Sequence, residues 1–127
     1  MELTKNFKLA EFHCKSGQKV PDKYMPNVKE LAKNLQVIRE RIGKPIFVTS
    51  GYRDQVYNKK VGGVSKSQHL TASASDIQVR GLTPQELYNI ILDLMLGGFI
   101  KKGGLGLYKT FVHYDIRGYI VPFRGSF

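Results

Sequence analysis

The sequence predicts a small α+β domain in which an antiparallel sheet packs against two main helices. Two segments carry apolar residues at helical spacing, and short runs rich in β-branched residues stand between and after them. From Gly104 onward the chain reads as strands joined by tight turns. Because 127 residues is the usual length of one domain, we expect a single domain over residues 1–127.

The first predicted helix runs from Pro26 to Ile42. Its apolar residues recur every three or four positions and form one buried stripe: Val28, Leu31, Leu35, Ile38 and Ile42. Pro26 suits the first turn of a helix, and Gly43 with Pro45 predicts its end. Before this helix, an apolar segment with one helical turn is predicted at Phe7, Leu9 and Phe12.

The middle of the chain alternates between strands and a long irregular segment. A buried strand is predicted at 46–49, and a second strand at 75–79. Between them, residues 51–68 contain Gly62-Gly63 and show no clear period. A segment of this length in a compact domain is usually functional or partly helical.

The second main helix has a well-marked start. Thr83 is a predicted N-cap, Pro84 suits the first turn, and Glu86 completes a capping box. The helix is expected to end at Gly97. Three strands are predicted to follow, at 104–108, 111–117 and 119–121.

The net charge of the chain limits the kinds of molecule that it is expected to bind. Lys and Arg number 20 against 10 Asp and Glu, so the formal net charge is +10. Such a field attracts polyanions, which include nucleic acid, anionic membranes and the anionic polymers of a cell wall. No helix-turn-helix, Cys/His finger or aromatic RNA-binding motif accompanies the charge, so we expect no specific nucleic-acid binding. Cys14 is the only cysteine, which excludes an intrachain disulfide and a Cys-based zinc cluster.

The sequence also bears on localisation. The N-terminal residues contain no apolar core of a signal peptide, and the longest apolar stretch, 90–95, is interrupted by Asp93. We therefore expect no membrane span, and synthesis in the cytoplasm without a Sec signal.

Polar residues share one face on two of the predicted strands. Alternation along the second strand places Asp76 opposite to the core residues Ile77 and Val79. The same alternation places His113 and Asp115 on one face of a later strand, together with Arg117.

Two histidines and one carboxylate have the composition of a catalytic zinc site. His69, Asp76 and His113 meet the requirement for three protein ligands, and Asp115 would be free to accept a proton from water. From spacing alone a second interpretation stays open, in which each histidine is a hydrogen-bonded structural residue and Asp76 is a cap or salt-bridge partner.

Several segments resemble the M15-type zinc peptidases, a family of D-alanyl-D-alanine carboxypeptidases, dipeptidases and phage endolysins that cut peptidoglycan stem peptides. The opening Asn6-Phe7 with Glu11-Phe12 resembles the compact single-domain branch of the family. The other matching segments are, in chain order, Ser50-Gly51-Tyr52-Arg53, Asn58, Val61-Gly62-Gly63-Val64, Ser67-Gln68-His69-Leu70, Ala74-Ser75-Asp76, Gly104-Leu105-Gly106-Leu107-Tyr108 and Phe111-Val112-His113-Tyr114-Asp115-Ile116-Arg117.

The resemblance implies the fold shared by hedgehog and DD-peptidase zinc proteins, and a site for one zinc ion held by His69, Asp76 and His113. It also implies that Arg53 reaches into the site to hold a substrate carboxylate or a developing oxyanion. Substrate-binding positions implied by the matching segments are Ser67, Gln68, Arg53 and Tyr108.

Two positions depart from the family pattern. Ala72 stands where many members carry Gly, which would cost about 1 kcal/mol if the position requires positive φ. Thr110 stands where better-known members carry the acidic general base, so Asp115 is the nearest substitute. The alternative role for Asp115 is to orient a ligand histidine or to pair with Arg117. The adjacent His13 and Cys14 are interpreted as structural.

The predicted function is a zinc metallopeptidase, a D-alanyl-D-alanine carboxypeptidase or an endolysin-type endopeptidase, that hydrolyses peptidoglycan stem peptides and acts as a monomer. Anionic wall polymers are a further expected partner. The alternative is a non-catalytic, zinc-containing wall-binding module of the same fold. Absence of a signal peptide favours action on the wall after release, as a phage lysin or virion component, or after export by a route other than Sec.

Overall fold

A computed structural model describes residues 1–125, so the last two residues of the expected 1–127 domain lie outside the described part. The helices are α1, Met25–Ile42; α2, Gln55–Lys60; and α3, Pro84–Leu96. The strands are β1, Glu2–Thr4; β2, Phe7–Lys8; β3, Phe47–Ser50; β4, Ala74–Gln78; β5, Gly104–Leu107; β6, Val112–Asp115; and β7, Val121–Arg124. Short 3-10 helices lie at Leu9–Phe12, Asp22–Tyr24 and Gln68–Thr71.

The main sheet has five strands in the order β3-β4-β6-β5-β7, and β1 with β2 forms a separate hairpin. The first three pairings are antiparallel, but β7 runs parallel to β5. Both edges of β6 are already occupied by β4 and β5, so the chain after β6 crosses to the free edge of β5. The α+β class is confirmed, and the parallel pair is an addition that the sequence did not predict.

One face of the sheet packs against α1 and α3. The predicted stripe of α1 is buried at Val28, Leu31, Leu35 and Ile38, and the sheet contributes Ile77, Leu105, Val112 and Tyr114 to the same core. The capping box of α3 forms as predicted, since the amide of Thr83 donates to Glu86 Oε1 at 2.9 Å and the amide of Glu86 donates to Thr83 Oγ1 at 3.1 Å. The core leaves the opposite face of β4 and β6 available for polar residues.

Two predictions about individual elements need correction. The strand at 46–49 is not buried: β3 is an edge strand, and Phe47 is 47% exposed. The last strand begins at Val121 and not at 119, because the chain first makes a turn at Gly118, which has φ of 104°. The segment 51–68 contains the six-residue helix α2, in agreement with the expectation that it is functional or partly helical. None of the helices within residues 1–125 has the length and apolar character needed to cross a membrane.

Candidate metal centre

The pairing of β4 with β6 places two of the predicted ligands side by side. Asp76 and His113 are direct partners in this antiparallel register. His69 arrives from the short helix Gln68–Thr71, whose N-cap is Ser67: the Ser67 hydroxyl accepts the amide of His69 at 3.1 Å. The helix ends at Ala72, which has φ of 58° and turns the chain into β4. The structure therefore confirms that the position of Ala72 requires positive φ.

Three ligand atoms converge on one point above the sheet. Nε2 of His69 and Nδ1 of His113 lie 3.2 and 3.3 Å from the same oxygen, Oδ1 of Asp76. All three residues are buried, and their ligand atoms lie within 4.8 Å of one another. In a tetrahedral zinc site with bonds of about 2.0–2.2 Å, neighbouring ligand atoms are separated by roughly 3.3–3.6 Å. This group could therefore hold one metal ion.

Hydrogen bonds on the far side of each ring fix which nitrogen faces the centre. Nδ1 of His69 lies 2.7 Å from the carbonyl oxygen of Gly51, which can only accept, so this nitrogen carries the proton. Nε2 of His113 lies 2.7 Å from Oδ2 of Asp115 and donates to it. The nitrogens left to bind a cation are Nε2 of His69 and Nδ1 of His113. Such partners orient metal-binding imidazoles in many proteins.

Asp115 is completely buried, and both of its carboxylate oxygens are engaged. Oδ1 accepts the amide of Gly104 at 2.8 Å and Nε of Arg117 at 2.9 Å, while Oδ2 accepts His113 and Nη2 of Arg117. Burial raises the pKa of Asp115, but the hydrogen bonds from His113 and Arg117 outweigh it and hold the pKa well below its usual range. Asp115 is therefore an ionised carboxylate with no free lone pair directed at solvent.

The environment of the ligands favours positive charge. Burial raises the pKa of Asp76, but hydrogen bonds from His113 and His69 outweigh it, so the pKa is lowered and Asp76 is ionised. Burial lowers the pKa of His113, but its hydrogen bonds to Asp115 and Asp76 raise it overall. A metal cation would compete with the proton for the same nitrogen of His113.

Arg53 reaches the centre and contacts the second oxygen of Asp76. Its Nη2 donates to Asp76 Oδ2 at 3.2 Å, Nε to Ser50 Oγ at 3.2 Å and Nη1 to Asn58 Oδ1 at 3.3 Å. Asn58, on α2, also donates to the carbonyl of Val64 at 2.9 Å and so ties down the loop beside the site. Sequence analysis assigned no role to Asn58, although a polar residue buried in an unperiodic segment is a usable signal.

A cleft of about 420 Å³ lies over the ligand group. The predicted residues Arg53, Ser67, Gln68 and Tyr108 all line it, together with the loop from Val61 to Lys66. Asp115 does not line it, and among the described residues that do, Asp76 is the only carboxylate. The cleft thus brings together the predicted metal-binding and substrate-binding residues but leaves Asp115 behind His113.

The wall of the cleft opposite this loop is aromatic. Tyr108 and Phe111 stack with ring centroids 4.3 Å apart, and the ring of Phe123 lies 5.2 Å from that of His113. Two glycines make room for these rings, because a Cβ at Gly106 would overlap Phe123 and a Cβ at Gly125 would overlap Tyr108. Sequence analysis missed Phe123 because it did not predict that β7 would pair with β5.

A buried group of two histidines and a carboxylate, at the base of an open cleft, is the donor set of metal-dependent hydrolases. The family described as Peptidase M15 matches residues 5–115. The chain therefore belongs to the M15 peptidase family, which confirms the resemblance noted in the sequence. No individual curated protein matches the chain in sequence.

Proposed function

We propose that the protein is a zinc-dependent peptidase that cleaves peptidoglycan stem peptides. The proposal rests on one observation: Nε2 of His69 and Nδ1 of His113 converge on Oδ1 of Asp76, at 3.2 and 3.3 Å. This group lies beneath the cleft of a chain that belongs to a peptidase family. When bound by these residues, one zinc ion would lower the pKa of a bound water and polarise the scissile carbonyl.

The charge of the cleft supports a substrate that carries carboxylates. Arg53, Lys66 and Arg117 line it, and its one carboxylate among described residues, Asp76, belongs to the ligand group. Peptidoglycan stem peptides carry several carboxyl groups, and the net charge of +10 would also draw the protein to anionic wall polymers. On this proposal the protein acts on the cell wall.

The remaining residues of the cleft orient the substrate. The guanidinium of Arg53, held by Ser50 and Asn58, would stabilise a substrate carboxylate or the charge that develops on the carbonyl oxygen. Ser67, Gln68 and Tyr108 would hydrogen-bond the peptide and keep the scissile bond in place.

We propose that Asp115 positions His113 and is not the general base. A base must reach the proton that it removes, whereas the oxygens of Asp115 are engaged by Gly104, His113 and Arg117 behind the ligand group. Thr110 cannot replace it, since a hydroxyl is too weak a base at neutral pH. With no other carboxylate in the described cleft, we expect turnover about 10²–10⁴-fold below that of a relative with a positioned base.

A non-catalytic, zinc-containing wall-binding module of the same fold is the second candidate. One observation favours it: the described cleft contains no carboxylate besides the ligand Asp76. The metal would then contribute to stability alone.

The experiment that separates the two candidates uses the zinc-loaded protein and intact peptidoglycan. We expect new amino termini to appear, to vanish on chelation and to return with zinc, and mass spectrometry of defined muropeptides would identify the bond. The His69→Ala variant serves as the inactive control. A protein that binds one equivalent of zinc and adsorbs to the wall, yet releases no amino termini, would instead be the binding module.

A further inference from the structure

A second cavity, of about 520 Å³, shares Phe111 with the cleft over the ligand group. We call it the distal groove. Residues from the ends of β3 and β4, the start of α3 and the turn between β5 and β6 line it, among them Phe47, Gln78, Arg80, Leu82, Thr110 and Phe111. Nothing in the proposed chemistry of the metal centre uses this cavity.

The distal groove combines an apolar surface with a positive charge. Phe47, on the edge strand β3, is 47% exposed and leaves part of its ring free to contact a ligand. The guanidinium of Arg80 lies 5.8 Å from the centre of the Phe47 ring, within the range of a cation–π contact. Such a surface suits a peptide segment that packs aliphatic groups on Phe47 and presents a carboxylate to Arg80.

The distal groove borders the cleft at Phe111, which lines both cavities. The ring of Phe111 stacks on Tyr108 at 4.3 Å, so the boundary between the cavities is a fixed, half-buried aromatic surface. The turn that carries it is held in place because Gln78 Nε2 donates to the carbonyl of Thr110 at 2.8 Å. The two cavities are therefore neighbours, as two subsites for one extended peptide would have to be.

We propose that the distal groove binds the part of the peptide substrate that continues beyond the scissile bond. This inference rests on the proposed function and makes it more specific. A cleft that borders a second cavity can hold a longer peptide than a cleft that ends beyond one terminal residue. The protein then cleaves within a peptide that is held on both sides, and a cross-linked stem-peptide dimer is a better substrate than an uncross-linked stem peptide.

The test measures kcat/KM on both substrates for the zinc-loaded protein and for Phe47→Ala and Arg80→Ala, two exposed positions outside the ligand group. We expect each variant to lose about tenfold in kcat/KM on the dimer and to retain its rate on the uncross-linked peptide. The Phe99→Ala variant, which removes an exposed aromatic residue outside the groove, is the matched control and should change neither rate.

Equal rates for wild type and both variants on the dimer would overturn the proposal, as would equal losses on both substrates. If the protein cleaves neither substrate, the proposed function fails, and the groove is tested separately by calorimetry of dimer binding to the zinc-free protein. Weaker dimer binding by Phe47→Ala and Arg80→Ala, but not by Phe99→Ala, would support the proposal that the groove binds peptide. Unchanged binding by both groove variants would reject it.

Discussion

Nε2 of His113 donates a hydrogen bond of 2.7 Å to Oδ2 of Asp115, two residues further along the same strand. Alternation along β6 places both side chains on one face, so the carboxylate supports the imidazole from behind. The bond leaves Nδ1 of His113 as the nitrogen directed at Asp76. The proposed ligand role of His113 and the supporting role of Asp115 can therefore be tested separately.

The first prediction concerns Asp115→Asn. Loss of the charged hydrogen bond should weaken zinc affinity by about 10–100-fold, because supporting residues of metal-binding histidines have effects of this size. Competition with a chromophoric chelator measures it, and Asp93→Asn, an exposed change on α3, is the control. A variant with unchanged zinc affinity and abolished turnover would instead identify Asp115 as the general base.

The second prediction concerns Ala72→Gly. Relief of the left-handed conformation should raise the free energy of unfolding by about 1–2 kcal/mol. The greater freedom of glycine in the unfolded chain should lower it by about 0.4–1 kcal/mol. Loss of the buried methyl group should lower it by a further 0.8 kcal/mol, about the value of one buried methylene. We therefore expect urea denaturation to give a free energy of unfolding within about 1 kcal/mol of wild type. The same change at Ala32, equally buried within α1, should cost about 2 kcal/mol. Equal losses at both positions would contradict this account of Ala72.

The third prediction concerns the aromatic wall. Phe123→Ala should lower kcat/KM by about tenfold while zinc affinity stays unchanged, because the ring borders the cleft and is not a ligand. Gly106→Ala should have a similar effect, since its methyl would displace the Phe123 ring. A change in zinc affinity as large as the change in rate would show that these residues support the metal centre instead.

The fourth prediction concerns pH. Nδ1 of His13 accepts the amide of Val20 at 3.1 Å, and burial, together with Lys19 and the N-terminal ammonium, lowers the pKa of His13 below 6.5. The unfolded chain therefore binds a proton at His13 more tightly than the folded chain does. The free energy of unfolding should accordingly fall as the pH decreases from about 7 through the pKa of His13 in the unfolded chain, about 6.5. His13→Asn, which keeps an acceptor without titrating, should show a smaller loss in urea midpoint between pH 7.5 and 5.5. An equal loss in wild type and variant would contradict the assignment.

The sequence predicted the features that depend on local pattern. The stripe of α1, the capping box at Thr83 and the positions of His69, Asp76 and His113 all follow from spacing or from short motifs. Each of these signals can be read from its own short stretch of sequence, without knowledge of how distant segments pair.

Features that depend on long-range pairing could not be predicted in this way. The parallel pairing of β7 with β5, and with it the place of Phe123 in the cleft, depends on which sheet edge is free after β6 has paired. The exposure of Phe47 likewise follows from the edge position of β3, because an apolar strand has the same pattern at an edge as in the centre. The engagement of Asp115 by Gly104 and Arg117 also requires the folded backbone.

The pairing of Asp76 with His113 across β4 and β6 has a consequence for how the chain folds. A shift of one residue between these strands would turn one of the two side chains to the helical face and would separate the ligand atoms. Only the native alignment of the two central strands therefore brings these ligand atoms together. Zinc present during refolding would stabilise the correctly aligned sheet relative to misaligned sheets. The cation would therefore favour correct strand alignment before any peptide is bound.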